Sequence, residues 1–392
     1  MIDVAPSTGG DSGGRSPGRL GVPDTPDDLT PAWLTAALGE TSVLRRGAVA
    51  TAEWERVGQE YGFTGLVARV QLRYEGADGD EPRSLIAKLP MAEGDVVSGY
   101  RAVQERDPEL MRRYYERCVR EEPFYREVGA SFAPTLYYSA VDDVRRRVVL
   151  LLEDLSPARQ GDVLHGCSIE DAAVVIEEIA PFHAQWWGER APAGAFPRTR
   201  DDHHARQLRY DRQAGLFLER YGDALPAAVS SVIERLRSRL AGVLATLAER
   251  PHTLIHADLH LDNVIFDGPG AGRSAVVLDW QTAVVGSPAW DVALFLFGSL
   301  SVGDRRTAEG ALLQRYATLL AEHGVRGYTV EDLRADCRLA LLAWLAGTVG
   351  WLTRLDPDEL TGRERALQEA VLADGRLLAA LLDHDVSAIL GH

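Results

Sequence analysis

Four polar side chains stand out in the stretch TLIHADLHLDNVIFDGPGAGRSAVVLDWQ, residues 253–281: His256, Asp258, Asn263 and Asp279. Their types suit phosphoryl transfer. One carboxylate can accept the proton of an attacking hydroxyl, while an asparagine carbonyl and a second carboxylate offer hard oxygen ligands to Mg2+. Two apolar runs, 264–266 and 275–278, flank a Gly/Pro turn and predict a hairpin. A hairpin brings its ends together, so Asp258, Asn263 and Asp279 can meet in space. Singly, each of these Asp and Asn residues could equally be a turn former. His256 reads as a residue that orients the loop rather than as a base.

Of the 42 Lys and Arg residues, one alone is lysine: Lys88, in PRSLIAKLPM. A coding bias toward arginine replaces lysine wherever a generic positive charge suffices. Arginine is a broad planar fork and lysine a compact charge on a thin stem, so a site needing the slim ammonium rejects the fork. Chance survival is the competing reading. The order His256-Ala257-Asp258, then Asn263, keeps the H-x-D-x-x-x-x-N spacing of a kinase catalytic loop, and Asp279 takes the place of the metal-binding aspartate. Lys88 ends a third strand-like run, where such enzymes hold the phosphate lysine. Met111, Tyr114, Cys118, Glu121, Tyr125 and Val128 share one helical face. Glu121, rather than Glu122, is therefore the candidate partner of Lys88, although Pro123 should kink or restart the helix beside it.

These groups need elements to position them. DDLTPAWLTAALGE predicts a helix with Thr30 as N-cap and Pro31 at the first helical position. Strand-type runs follow at 48–57, 66–74 and 84–89. Between the first two lies VGQEYGFTG, whose glycines permit close approach to a ligand or simply make a hairpin. A helix is expected over 108–128, then strands over 135–141 and 147–152. EDLSPARQGD reads as a connector. Helical periodicity dominates 169–187, 204–221, 225–250, 307–323, 330–355 and 363–382. The expected organisation is a Gly/Ser/Pro-rich disordered tail at 1–22, a sheet-rich lobe at 23–152, a connector at 153–162 and a helical lobe at 163–392, an α+β chain with a cleft between lobes.

Composition narrows the function classes. A net charge of −16 argues against nucleic acid as partner; it accords with solubility and also with a cationic substrate. Cys118, Cys167 and Cys337 are odd in number and far apart, which suggests neither a disulfide framework nor a zinc site, and fits a reducing cytoplasm. The uncharged run 339–352 is too short to span a bilayer and reads as a buried helix, so no membrane insertion is expected.

Beyond the catalytic stretch, EEPFY at 121–125, LLLEDL at 150–155, FHAQWW at 182–187, HADLHLDN at 256–263 and LDWQ at 278–281 carry a resemblance. The chain resembles the aminoglycoside phosphotransferase and choline kinase group of small-molecule kinases over roughly residues 28–380, and is most similar to its ecdysteroid-kinase-like branch. The resemblance implies a bilobal protein-kinase-like fold, with a small antiparallel sheet lobe and a larger helical lobe. It implies ATP beneath the turn that contains Gly62, Phe63 and Thr64, with adenine against the backbone of Glu153 to Leu155. It also implies Asp258 as catalytic base, Asn263 and Asp279 as holders of Mg2+, and Asp291 of SPAWDVALF as a structural aspartate; an ordinary helix N-terminal charge is the other reading of Asp291. GQEYGFTG departs from the G-x-G-x-x-G of protein kinases, which leaves open which amides touch phosphate.

Only residues 280–290 separate Asp279 from Asp291, so no long activation segment exists to dock a peptide. The acceptor is expected to be a small molecule with a hydroxyl: an antibiotic, a sugar, a sterol-like alcohol or an amino alcohol. Trp344 and Trp351 share a helix face and could line its pocket or belong to the core. Two rival readings stand beside this one. His256, Asp258 and His260 form an H-x-D-x-H pattern that a metal-dependent hydrolase could use. A catalytically inactive nucleotide-binding pseudokinase is the other, against which all four roles are filled.

Overall fold

The computed structural model describes residues 20–58, 65–90, 108–190, 196–198, 203–267, 274–357, 360 and 362–391. Thr30 and Pro31 open the first helix, Pro31–Glu40: the Thr30 hydroxyl accepts from the Trp33 N–H at 3.3 Å, and Pro31 fills the position that needs no donor. Its Leu34, Ala37 and Leu38 are buried against one face of a five-stranded antiparallel sheet. The strands are β1 (Ala48–Arg56), β2 (Gly65–Glu75), β3 (Ser84–Pro90), β4 (Leu136–Asp142) and β5 (Arg147–Glu153), in spatial order β1-β2-β3-β5-β4.

Alternation along β3 sorts its side chains. Leu85, Ala87 and Leu89 join the core under the first helix, while Ile86 and Lys88 point to the opposite face. Lys88 pairs across to Val67 of β2 and Leu150 of β5, the middle of the sheet. Neighbouring β5 is apolar on both sides, with Val149 and Leu151 toward the first helix and Val148, Leu150 and Leu152 toward the main core.

The predicted kink at Pro123 takes a defined form. The α-helix Pro108–Pro123 widens into a π turn, Phe124–Val128, closed by the Gly129 N–H on the Phe124 carbonyl at 2.8 Å. Proline has no N–H to continue the α ladder, and the wider turn absorbs the gap.

After β5 the chain crosses to a helical body that carries two small sheets. β6 (Arg159–Gln160) pairs with β8 (Val264–Phe266), which pairs with β9 (Ala275–Val277); β7 (Thr253–Ile255) pairs with β10 (Val284–Gly286). The β8–β9 pair is the hairpin that the sequence predicts. Gly161 fastens the crossing. Its N–H donates to the Val264 carbonyl at 2.8 Å, and a Cβ there would lie 2.4 Å from the Leu261 carbonyl oxygen, so only glycine fits.

The helices are Ile169–Gln185, His203–Tyr221, Ala227–Leu236, Leu240–Glu249, Ala289–Ser299, Val302–Glu322, Val330–Arg354, Gly362–Glu369 and Arg376–Asp383. The single helix expected over 225–250 is two. It breaks at 237–239, where the Gln207 amide donates to the Arg237 carbonyl and accepts from the Ala241 N–H at 2.9 Å. A distant side chain thus satisfies the groups freed at both new ends. The run 363–382 is likewise interrupted, by a π turn at Ala370–Asp374 and Gly375 at φ +72°. Val330–Arg354 is long and apolar enough by length and composition to cross a bilayer; in the fold its Leu333, Leu341, Leu342 and Val349 lie in the core. Trp344 and Trp351 are partly buried and pack against that core.

Candidate active site

Between the Lys88 face of the sheet and the β8–β9 hairpin lies a cavity of about 270 Å3. Ile86, Leu152, Leu155 and Leu278 give it apolar walls, and Lys88, Glu121 and Asp279, with the neutral amide of Asn263, give it a polar floor. Glu153 also lines it, with its carboxylate turned to the Thr135 N–H at 3.1 Å and hydroxyl at 2.9 Å.

All three donors of Lys88 are engaged. Nζ lies 2.8 and 2.7 Å from the two oxygens of Glu121 and 2.7 Å from Oδ1 of Asp279. Glu121, on the apolar helix face, is the glutamate that meets Lys88. Glu122 is turned away, accepting from Ser139 at 3.0 Å and from Arg126 at 2.9 Å. Burial opposes all three charges here. It pushes the Lys88 ammonium down, but Asp279 and Glu121 outweigh it and hold the ammonium well above its usual range. Burial pushes Asp279 up, and Lys88 overcomes this to hold its carboxyl below the usual value. For Glu121 burial wins and the carboxyl is raised, although Lys88 pulls the other way.

A ring stack fixes this cluster. Phe124, three residues past Glu121, lies flat on Trp280, one residue past Asp279, with centroids 3.8 Å apart and planes 7° from parallel. The Trp280 indole donates to the Val277 carbonyl at 3.0 Å, which ties the stack to the hairpin. Gln281 donates to Oδ2 of Asp279 at 2.9 Å. Asp279 itself sits in a left-handed conformation, φ +64°, where the chain turns out of β9.

The loop before β8 is built from backbone geometry. Ala257 has φ +66°, a conformation that non-glycine residues avoid. Fully buried Asp291 braces it, accepting from the His256 N–H at 2.7 Å and the Ala257 N–H at 2.8 Å. His183 supports Asp291 from 3.4 Å and is itself held by the Tyr316 hydroxyl at 2.7 Å. His256 uses both ring nitrogens: Nε2 donates to the Leu278 carbonyl at 2.8 Å, and Nδ1 accepts from the Asp258 N–H at 3.2 Å. That leaves His256 no lone pair for a metal, and among the described residues no cluster of three His, Cys, Asp or Glu could hold one. The H-x-D-x-H hydrolase reading loses its ligand set.

The structure brings Lys88, Glu121, Glu153, Leu155, Asn263 and Asp279 onto one cavity. Asp258 is not on that cavity wall. Its half-exposed carboxylate lies on the neighbouring surface, 3.8 Å from His260, and Asn263 links the two places by donating from Nδ2 to the Asp258 carbonyl at 3.0 Å. That bond leaves the Asn263 carbonyl oxygen as the atom available to a cation. Gly62, Phe63 and Thr64 lie outside the described residues.

Sequence reasoning missed Arg363. Its guanidinium bridges Asp162 of the crossing at 2.8 Å and Asp262 of the loop at 2.7 Å, and Asp262 also accepts from the Val163 N–H at 2.8 Å. Nothing local to Arg363 signals this, since its partners lie far back in the chain. Trp280 did carry a signal, an aromatic directly after the strand-end aspartate.

The antiparallel sheet, the helical body and the charged cavity between them define a bilobal α+β fold of protein-kinase type. The family model described as APH, phosphotransferase enzyme family, matches residues 106–328, and the chain belongs to that family. It is a phosphotransferase. No curated protein matches the chain in sequence. Among solved structures it is similar to a choline kinase from Cryptosporidium parvum, at 9% identity and TM-score 0.48, covering 87% of this chain and 94% of that one. It is similar to a choline/ethanolamine kinase family protein from Mesorhizobium loti, at 16% identity and TM-score 0.43, covering 87% and 93%. An aminoglycoside phosphotransferase from Streptomyces rimosus in complex with ADP and streptomycin stands at 17% identity and TM-score 0.42, covering 76% and 92%.

Proposed function

We propose that the enzyme moves the γ-phosphoryl group of ATP to a hydroxyl of a small molecule, with Mg2+. The observation that carries this reading is the Lys88–Glu121–Asp279 contact, which joins the sheet to the hairpin at one cavity. The donor set suits the group: an ammonium for phosphate oxygens, and a carboxylate with an amide carbonyl for a hard divalent cation.

Asp258 takes the proton of the acceptor hydroxyl. The hydroxyl oxygen bonds to the γ-phosphorus, the bond to the bridging oxygen breaks, and ADP leaves with the electron pair. Lys88 engages the phosphates and Glu121 holds it in place. Asn263 and Asp279 would hold Mg2+, whose chemical contribution when bound would be to offset the phosphates' charge. Ile86, Leu152, Leu155 and Leu278 wall the adenine, beside the backbone of Glu153. His256 and Asp291 hold the loop that carries Asp258. Residues 23–152 form the nucleotide lobe and 163–392 the acceptor lobe, joined by 153–162.

The test is a screen of hydroxylated metabolites with ATP and Mg2+, read as a mass gain of one phosphate, with Asp279→Ala beside the wild type. A phosphorylated product from the wild type, lost in Asp279→Ala and on chelation, is expected. Turnover that survives both treatments would sink the metal assignment. Failure to bind nucleotide by calorimetry would sink the reading itself.

A further inference from the structure

A second cavity, of about 120 Å3, borders the loop that carries Asp258. Ala257, the residue before Asp258, forms part of its wall, and the Trp290 indole fixes that wall by donating to the Ala257 carbonyl at 2.9 Å. Leu247, Ile255 and Trp290 make it apolar. The space is close to the ~150 Å3 of an engineered apolar cavity that holds one benzene ring.

Two polar groups break the apolar lining. Ser287 is 5% exposed and its hydroxyl has no hydrogen-bond partner, although buried hydroxyls nearly always find one. Arg206 brings a guanidinium to the same wall, and among the described residues no carboxylate lines the cavity or pairs with it. Burial first, and then neighbouring Arg209, hold this guanidinium below its usual range. A half-buried cation and an unpaired hydroxyl on one wall, with no carboxylate among the described residues lining it, form a donor set for an anionic oxygen group. The whole-chain charge of −16 accords with solubility and also with a cationic ligand, but the local sign here is positive.

We propose that this cavity is the acceptor subsite and that it takes a ring-sized apolar group bearing a carboxylate, so that the enzyme phosphorylates a hydroxylated carboxylic acid. This rests on the phosphotransferase reading for the reaction and goes beyond it for the acceptor. The guanidinium fork of Arg206 receives the carboxylate, Ser287 donates to it, and Leu247, Ile255 and Trp290 enclose the ring. The acceptor hydroxyl then lies toward Asp258. A quaternary amine or a polycationic sugar would meet Arg206 with like charge.

Three near-isosteric probes separate these outcomes: 3-(hydroxymethyl)benzoate, its carboxamide and its aminomethyl analogue. Binding to the full chain is measured by calorimetry with Mg2+ and a non-hydrolysable ATP analogue, and phosphate transfer by mass. The benzoate is expected to bind at least about tenfold tighter than the carboxamide, as a charge-assisted bidentate pair should, with the amine weakest. In Arg206→Gln that ratio should fall to within about threefold, with Ser287→Ala losing part of it, while thermal midpoints show that both variants fold. Tightest binding by the amine, no binding by the benzoate, or a benzoate-to-carboxamide ratio unchanged in Arg206→Gln would overturn the inference. Nucleotide binding is read separately. If nucleotide binds and the carboxylate preference is missing, the acceptor assignment alone fails. If the preference holds and no nucleotide binds, the phosphotransferase reading fails and the anion pocket stands.

Discussion

Lys88 and Asp258 are placed by opposite means. Lys88, Glu121 and Asp279 come from three elements far apart in the chain and are held to one another by charge, with burial opposing every member. Asp258 comes from one loop and is held by backbone, through a left-handed Ala257 and two N–H groups clamped on Asp291. A left-handed non-glycine residue costs about 1–2 kcal/mol, and each hydrogen bond to a charged group contributes about 1.5–3 kcal/mol, so the clamp outweighs the strain. One region depends on which charges are present. The other depends on a shape that a single buried carboxylate maintains.

Substitutions can break that contrast. Asp258→Asn should have the largest effect on chemistry, lowering turnover by about 10²–10⁴ as loss of a general base does. Its half-exposed side chain braces nothing, so the thermal midpoint should stay put; full activity in this variant would remove Asp258 from the role. Asp291→Ala should act the other way. It strands the buried His256 N–H and the part-buried Ala257 N–H and should cost about 2–5 kcal/mol in urea unfolding. Stability equal to wild type would mean the loop holds its shape unaided. Lys88→Arg keeps the charge and changes the form, and should lower kcat/KM by about tenfold to a hundredfold through misplaced donors. Wild-type kinetics there would reduce the lone lysine to chance.

The smallest effect concerns acid. Burial pushes the Asp162 carboxyl up, but Arg363, His165 and the Leu164 N–H hold it down at about 2, against 3.8 unfolded. A depressed acid stabilises above its unfolded value, so this contribution is complete above about pH 4 and lost as pH falls through about 2. Arg363→Gln should flatten that slope in acid unfolding. An unchanged slope would show that the clamp between Asp162 and Asp262 is not what the acid attacks.

Alternation and turn residues made the five strands legible, and the hairpin at 264–277 followed from its two apolar runs. The helix stripe singled out Glu121 because burial on one face is a local property. What escaped has its cause elsewhere in the chain. The break at 237–239 exists because Gln207 reaches it. Arg363 joins two acids that precede it by many elements. The flat stack of Phe124 on Trp280 needs both ends of the cavity in view. Arg206 looks like one of many arginines until the unpartnered Ser287 and the apolar wall beside it are visible.

Gly161 leaves no room for even a methyl group between the crossing and Leu261. Everything from Arg159 onward is therefore stitched to the helical body, and Glu153 is still stitched to the sheet by pairing with Leu85. Asp154 is also tied to the sheet, by Arg69 of β2 at 2.9 Å, so any rocking of the two halves has only Leu155 to Ala158 in which to pivot. Stiffening that four-residue axle should slow opening without touching Lys88, Glu121 or Asp279.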